Sequence, residues 1–515
     1  VSPLQTVILS GALPPGTSNE AITGLGSATI NGNGQIAVRT VSNPTSGGGP
    51  GGIQRLYVWQ AGSFAYVARS GESAINNPGA VFGTLGTAIV DETGGVAISV
   101  GTPSGGAGTG YMTYGRPGQG LRCVAQAQFT SPSPTDYPGG VGDLNTPDLS
   151  PTGAMGYAAG QQQARSMYSA APGQPPIMRY AFGTQIPGQA SGVTAGQLMF
   201  DRIDGAGNIV FAGTISGSQG VLGAGVLSAG PAGTRLVAGP GVAIPSIPGA
   251  TYTHARFPTV NQSGTIAFNA DFTRSSPSSS SSGLFTMTGN TSTLVAEIGQ
   301  NIPGMAPTIT MASIEPAALS KGGRVYFRGS VQNAAVAPPS ITRNIIFASD
   351  QAGLHRAFGV GDSVAGGATG SILAGLDTTS DDAFAINNLG QAVFTGFLNQ
   401  NGTFPRAILS YLPGEGLRAI ATIGGSLTVG PGDVRTISSL LMHSSLTSGA
   451  LVGLSGDDGM GSPLNDSGQL VFRASFTDGS SGLFTTTIPA PGASTVVLAA
   501  AGIGCLRRER RSIRD

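Results

Sequence analysis

Lysine is almost missing from this 515-residue chain, with Lys321 the only one, and charged residues of all kinds make up 10% of it. The 25 basic side chains balance 25 acids. Zero net charge excludes the basic surface that displaces counterions from nucleic acid. A mechanism built on lysine has one candidate, and Leu319-Ser-Lys-Gly-Gly323 lacks the Gly-Lys-Ser/Thr order of a phosphate loop. Only two cysteines occur, Cys123 and Cys505, too few and too far apart for a disulfide framework. The three histidines, His254, His355 and His443, form no His-Glu-x-x-His pair, and there is no Gly-x-Ser-x-Gly elbow. No catalytic residue is therefore assigned, and a non-enzymatic protein is expected.

Glycine, in contrast, is abundant at 84 residues, beside 40% hydrophobic residues. Each glycine inside a helix costs about 1 kcal/mol relative to alanine, so the composition favours short strands and turns around an adequate core.

One pattern recurs eight times: an apolar residue, a polar turn, glycine, then a strand. It is clearest in Val260-Asn-Gln-Ser-Gly264-Thr-Ile-Ala-Phe268 and Ile386-Asn-Asn-Leu-Gly390-Gln-Ala-Val-Phe394. The anchor glycines are Gly34, Gly94, Gly153, Gly207, Gly264, Gly323, Gly390 and Gly468, spaced by 60, 59, 54, 57, 59, 67 and 78 residues. Polar turn residues before glycine suit a tight hairpin, and the apolar alternation beyond it predicts a strand with one buried face. Third strands follow at Gly283–Thr286, Asn344–Ala348, Ala407–Ser410 and Gly482–Thr485, the first three followed by a turn and a fourth strand. Four strands per unit predict propeller blades. The last copy stops after its third strand, while Thr6-Val-Ile-Leu-Ser at the start matches the fourth strand Thr293-Leu-Val-Ala-Glu. The expected fold is an all-β, eight-bladed β-propeller over residues 1–488, closed by the N-terminal strand; two smaller propellers, or an irregular stack of sheets, are the alternatives. If the worn copy Leu149–Gly153 forms no blade, seven remain.

Residues 489–515 form a separate tail. Pro489, Ala490, Pro491 and Gly492 precede an apolar run Val496–Leu506, which is followed by Arg507, Arg508, Arg510 and Arg511. The run is 11 residues, short for a hydrocarbon core near 30 Å, and is expected to form a short helix. Basic residues behind it would stay cytoplasmic, placing the body outside. Val1-Ser-Pro-Leu lacks the basic and apolar regions of a secretory signal, so an export leader is expected to have been removed from this numbering.

Motif, apolar run and arginine cluster together resemble the PEP-CTERM sorting signal of Gram-negative bacteria, with Pro-Ala-Pro-Gly in place of the commoner Pro-Glu-Pro form. The repeat, with its Asn-x-x-Gly-x-x-Ala/Val-Phe core, is similar to a bacterial tandem-repeat surface family with a choice of C-terminal anchors. The first resemblance implies an exosortase-type processing partner, membrane association through the tail before processing, and an address at the cell envelope, surface or extracellular matrix. The second implies location and fold but no chemistry.

Two groups of side chains are candidate sites. Arg122, Arg179, Arg235, Arg356 and Arg418 fall near the start of fourth strands, where a closed ring would array them around one circumference to meet an extracellular polysaccharide or other polyanion. Solvent-facing arginines that guard edge strands are the plainer reading. Asp381, Asp382, Asp457 and Asp458 are candidate calcium ligands beside their usual role in turns; no other cofactor is expected. Trp59, Tyr57 and Tyr66 would mark a partner patch if exposed, and a core if not. The expected function is binding or structural, with an extracellular polysaccharide hydrolase or lyase working in the propeller channel as the alternative.

Overall fold

The computed structural model describes residues 4–26, 28–44, 52–101, 110–126, 143–144, 147–161, 164–275, 278–335, 340–377, 384–442, 459 and 461–490. The candidate residues Asp381, Asp382, Asp457, Asp458, Pro491, Gly492 and the four tail arginines lie outside them, as do His443, Cys505 and the expected C-terminal helix.

The eight anchor turns each join the first two strands of a blade, numbered 1 (Gly34) to 8 (Gly468), and each blade is built on four antiparallel strands, in chain order in blades 1 to 7. Blade 5 is representative: Ala250–Val260, Ile266–Ser275, Ser278–Thr288 and Thr291–Glu297. Its serine-rich Ser278–Ser282 pairs residue for residue with Asp271–Ser275 as strand. The exposed ladder of the second strand supplies partners that outweigh serine's low strand preference. The worn copy at Gly153 forms blade 3.

First strands of successive blades meet around the axis, and fourth strands face outward. Each blade is thereby sandwiched between two others, and the second strand is buried on both faces instead of one. Ile266, Ala267 and Phe268 are each at most 2% exposed, as are Leu470, Val471 and Phe472. The expected alternation gives way to a continuous apolar run for the same reason it does in sheets covered on both sides. Eight apolar clusters result, one at each junction between blades. Between blades 4 and 5, Val210 and Val226 pack against Tyr252, Phe268 and Phe285, the last two rings stacked with centroids 5.9 Å apart.

Blade 8 takes its fourth strand from the other end of the chain. Gln5–Leu9 pairs antiparallel with Ser481–Thr487, from Gln5 opposite Thr485 to Leu9 opposite Gly482. Trp59 of blade 1 packs with Val471 and Leu483 of blade 8 and with Val7 and Ile8, so the closing junction is as apolar as the others.

The anchor turns share one geometry. The first turn residue accepts the N–H of the residue four later through its side chain: Asn31 from Gln35, Asp91 from Gly95, Ser150 from Ala154, Asp204 from Asn208, Asn261 from Thr265, Ser320 from Arg324, Asn387 from Gln391 and Asn465 from Gln469. All eight are buried. The glycine three positions later has φ between 75° and 85° in every copy, the left-handed conformation that completes a three-residue hairpin loop. Where the first residue is asparagine, its Nδ2 also donates to the next blade's turn: Asn31 to Asp91 O at 2.6 Å, Asn261 to Ser320 O at 3.1 Å, Asn387 to Asn465 O at 3.0 Å, and Asn465 to Asn31 O at 2.9 Å. The last of these crosses the closure.

A second recurring element joins fourth strands to the next blade at several junctions. The N–H of Gly241 donates to Tyr252 O, and that of Gly299 to Met311 O; three residues on, Ile244 and Ile302 drop into the junction cores. Ile186, Val364 and Leu427 occupy the same place at other junctions.

The two duties of the anchor asparagine are separable. Asn261→Ser keeps an acceptor for the turn, as Ser150 and Ser320 do, and loses the donor to blade 6; Asn261→Ala loses both. Urea denaturation is expected to show a loss of about 1 kcal/mol for the serine variant and about 2 to 3 kcal/mol for alanine. Equal losses would mean that the turn bond carries no stability of its own.

Candidate functional site

The axis of a propeller is its usual binding cleft, and here the anchor-turn end of it is crossed by the chain itself. Gly459 and Gly461–Asn465, from the longest connection in blade 8, are buried. Gly459 O accepts the N–H of Leu149 in blade 3 at 2.6 Å, and a Cβ on Gly459 would lie 2.4 Å from Ile203 in blade 4. At the other side Ser462 O accepts the N–H of Ile30 in blade 1 at 2.9 Å. Blades 4 and 8 stand opposite each other, so the segment spans the ring.

Beside this crossing lies a cavity of about 40 Å³, lined by Asn31, Asp91, Glu92, Leu149, Ser462 and Asp466 among others. That is room for a water molecule and not for a sugar. Its three carboxylates are held by the fold. Asp91 takes the N–H groups of Thr93 and Gly95 and the Tyr114 hydroxyl, Glu92 takes Gly32 N–H, and Asp466 takes both nitrogens of Asn388. Burial, reinforced by Asp91, pushes the Tyr114 phenol up to about 12. No group of three or more His, Cys, Asp or Glu side chains is arranged to hold a metal ion among the described residues.

Higher in the channel wall the chemistry is cationic. The residue five after each anchor glycine lies on the second strand of its blade. It is arginine in blades 1, 6 and 8, as Arg39, Arg328 and Arg473. Arg328 pairs with Glu315. Arg39 donates to Leu85 O of blade 2, and Arg473 to Leu25 O of blade 1 at 2.7 Å. Burial, and then the charge of Arg473, lowers the Arg39 pKa below the ordinary guanidinium value. Elsewhere arginines have carboxylate partners: Arg55 with Glu20, Arg274 with Glu297, Arg356 with Asp362, Arg406 with Asp377 and Arg435 with Asp433.

A sequence profile built on the family DUF7453 matches residues 44–495. The chain belongs to DUF7453, a family of unknown function. No curated protein is close enough in sequence to count as a relative. Among solved structures, the Dos1 propeller aligns over 95% of this chain and 97% of its own, at 9% identity and a TM-score of 0.37. The polysaccharide lyase Uly1 aligns over 84% and 94%, at 9% identity and a TM-score of 0.34. Prolyl oligopeptidase B from Galerina marginata aligns over 76% of this chain and 47% of its own, at 10% identity and a TM-score of 0.29.

In this DUF7453 propeller the five arginines picked out by sequence lie on the outer strands of blades 2, 3, 4, 6 and 7. They do not form a uniform free ring. Arg179 donates to Ser169 Oγ, Arg235 to Gly289 O and Asn290 Oδ1, and Arg356 pairs with Asp362; Arg122 and Arg418 are exposed. Trp59 and Tyr57 are buried, which leaves Tyr66 as the only exposed member of that trio. His254 stands 4.0 Å from Asp271, and the His355 ring contacts Gly353 O. Cys123 is a free thiol whose pKa burial pushes up to about 11, away from reactivity. Of the tail motif, Pro489 and Ala490 are described: Ile488 N–H donates to Gly468 O, Gln391 Nε2 donates to Pro489 O at 2.6 Å, and Ala490 is exposed.

Sequence reasoning missed Arg39 and Arg473. The signal was there: the position after the Val/Phe of the repeat carries arginine in copies 1 and 8, which ring closure makes neighbours.

The bidentate Arg55–Glu20 pair gives a pH dependence. Hydrogen bonds from Arg55, with one from Ser42, hold the Glu20 carboxyl below its ordinary range despite some desolvation. Its stabilisation is therefore complete above the unfolded-state glutamate pKa and is lost as pH falls through the lower folded value. Glu20→Gln is expected to cost about 1 to 3 kcal/mol at neutral pH, a deficit that closes in acid, when urea unfolding of variant and parent is compared across pH.

Proposed function

We propose that this DUF7453 propeller is an exported binding or structural module, displayed at the cell surface or in the extracellular matrix after exosortase-type processing of its C-terminal tail. The observation that carries the reading is the order Pro489-Ala-Pro-Gly492, apolar run, arginine cluster. Two structural features support it. The eighth blade is complete by Thr487, so removal of the tail takes no strand from the ring. The chain is clamped at Ile488 and Pro489, and Ala490, the second residue of the motif, is exposed. Neutral net charge and a body of rigid blades carrying variable connections suit a scaffold whose loops meet a ligand.

An enzyme working in the channel is the competing reading. It needs an acid and a base free to act, whereas the carboxylates at the axial end, Asp91, Glu92 and Asp466, hold turns together.

The test is fractionation of cells producing the native protein and a variant with Pro489–Gly492 replaced, with C-terminal peptide mapping of both. The mature parent is expected outside the cytoplasm without its tail, and the variant is expected to stay intact in the membrane fraction. Identical, intact and soluble products in one compartment would remove the sorting reading.

A further inference from the structure

The channel wall holds a pair of like charges that the rest of the molecule does not answer. Arg39 of blade 1 and Arg473 of blade 8 converge on the Leu25–Gly26 peptide. Arg473 donates to Leu25 O at 2.7 Å, and Arg39 lies so close over Gly26 that a Cβ there would sit 2.7 Å from its Nε. The inner strand of blade 1 is interrupted at this point, between Glu20–Leu25 and Thr29–Ile30, which gives both guanidiniums their place. Both are partly buried, and neither meets a carboxylate among the described residues. Each donates to one backbone carbonyl, which leaves most of the five N–H groups of a guanidinium without a protein partner among the described residues.

Two partly desolvated cations side by side repel, and burial without a counter-charge is costly. The same repeat position in blade 6 shows the ordinary solution, a carboxylate from the adjacent inner strand, Glu315 beside Arg328. Blades 8 and 1 lack it. We propose that Arg39 and Arg473 form an oxyanion-binding site in the channel wall, where the two guanidiniums take one carboxylate, sulfate or phosphate group between them. Paired guanidiniums match the geometry of such groups and bind them through charge-assisted hydrogen bonds.

The depth of the site follows from the strand. On the continuous second strand Leu25 lies opposite Thr40, and Ile30, the residue bonded to the crossing segment, opposite Ile36, four residues apart or roughly 13 Å at strand rise. The anion site therefore stands above the closed axial end, and a ligand reaches it from the opposite face. This inference is independent of the tail and of cell location.

The experiment is isothermal titration calorimetry of the full chain in chloride buffer at fixed ionic strength, with inorganic sulfate, inorganic phosphate and glucuronate as separate titrants. Saturable one-site binding of at least one is expected; preference for glucuronate would indicate a sugar acid, and preference for an inorganic titrant a free ion. Arg39→Gln and Arg473→Gln are each expected to weaken binding roughly tenfold or more, while Arg69→Gln, on the outer strand of blade 1 and paired with Glu72, leaves it unchanged. In chloride alone Arg473→Gln is expected to melt no lower than the parent, because it relieves the repulsion. Should Arg39→Gln not fold, Arg473→Gln decides the matter alone. No saturable binding, unchanged affinity in the folded variants, or an equal loss in Arg69→Gln would overturn the assignment.

Discussion

The structure depends on a buried side-chain oxygen at the start of each anchor turn. That oxygen, buried beneath a loop whose tip is exposed, satisfies backbone N–H groups that would be expensive to leave unpaired. Asparagine does more than serine or aspartate because it also carries a donor, and the donor always points to the following blade. The turn motif is thus a joint as well as a turn. Because the bond from Asn465 to Asn31 matches the internal ones, the closing junction is held by the same chemistry as the rest.

Each blade has a single neighbour on either side, and each apolar cluster belongs to a junction instead of a blade. No blade owns a core. A lone sheet would expose both faces of its second strand, so the ring is the smallest unit that buries every one of them, and the N-terminal strand seals the edge that would otherwise recruit another chain. The buried Ile244 and Ile302 in the connections extend these cores to the face opposite the anchor turns.

The number of blades, their strand order and the exchanged closing strand were legible because they rest on local patterns: Asn-x-x-Gly turns, apolar runs and the phase of the two chain ends. Burial of the second strand on both faces was hidden, since a short apolar run reads alike in either setting. The crossing of the axis by Gly459–Asn465 was hidden too, because nothing local tells a long connection where to go. The candidate site divides the same way. Arg39 and Arg473 stand at one repeat position and are legible as such, yet their meeting requires the ring to close, and the lack of an acid beside them belongs to the neighbouring strand. The outer arginines shared a position in the sequence too, but Asp362, Ser169 and Gly289 already engage three of them.

The clamp at the end of the last blade has a mechanical meaning. Ile488 and Pro489 are gripped by Gly468 and Gln391, one from blade 8 and one from blade 7, immediately before the chain leaves the body. Tension on the tail would meet these bonds first and then load Ser481–Thr487 along its length, a strand laddered on both edges, by Gln469–Phe476 and by Gln5–Leu9. Such loading shears many hydrogen bonds together instead of unzipping them singly. A pull on the chain at this end would therefore act on a strand held along both of its edges.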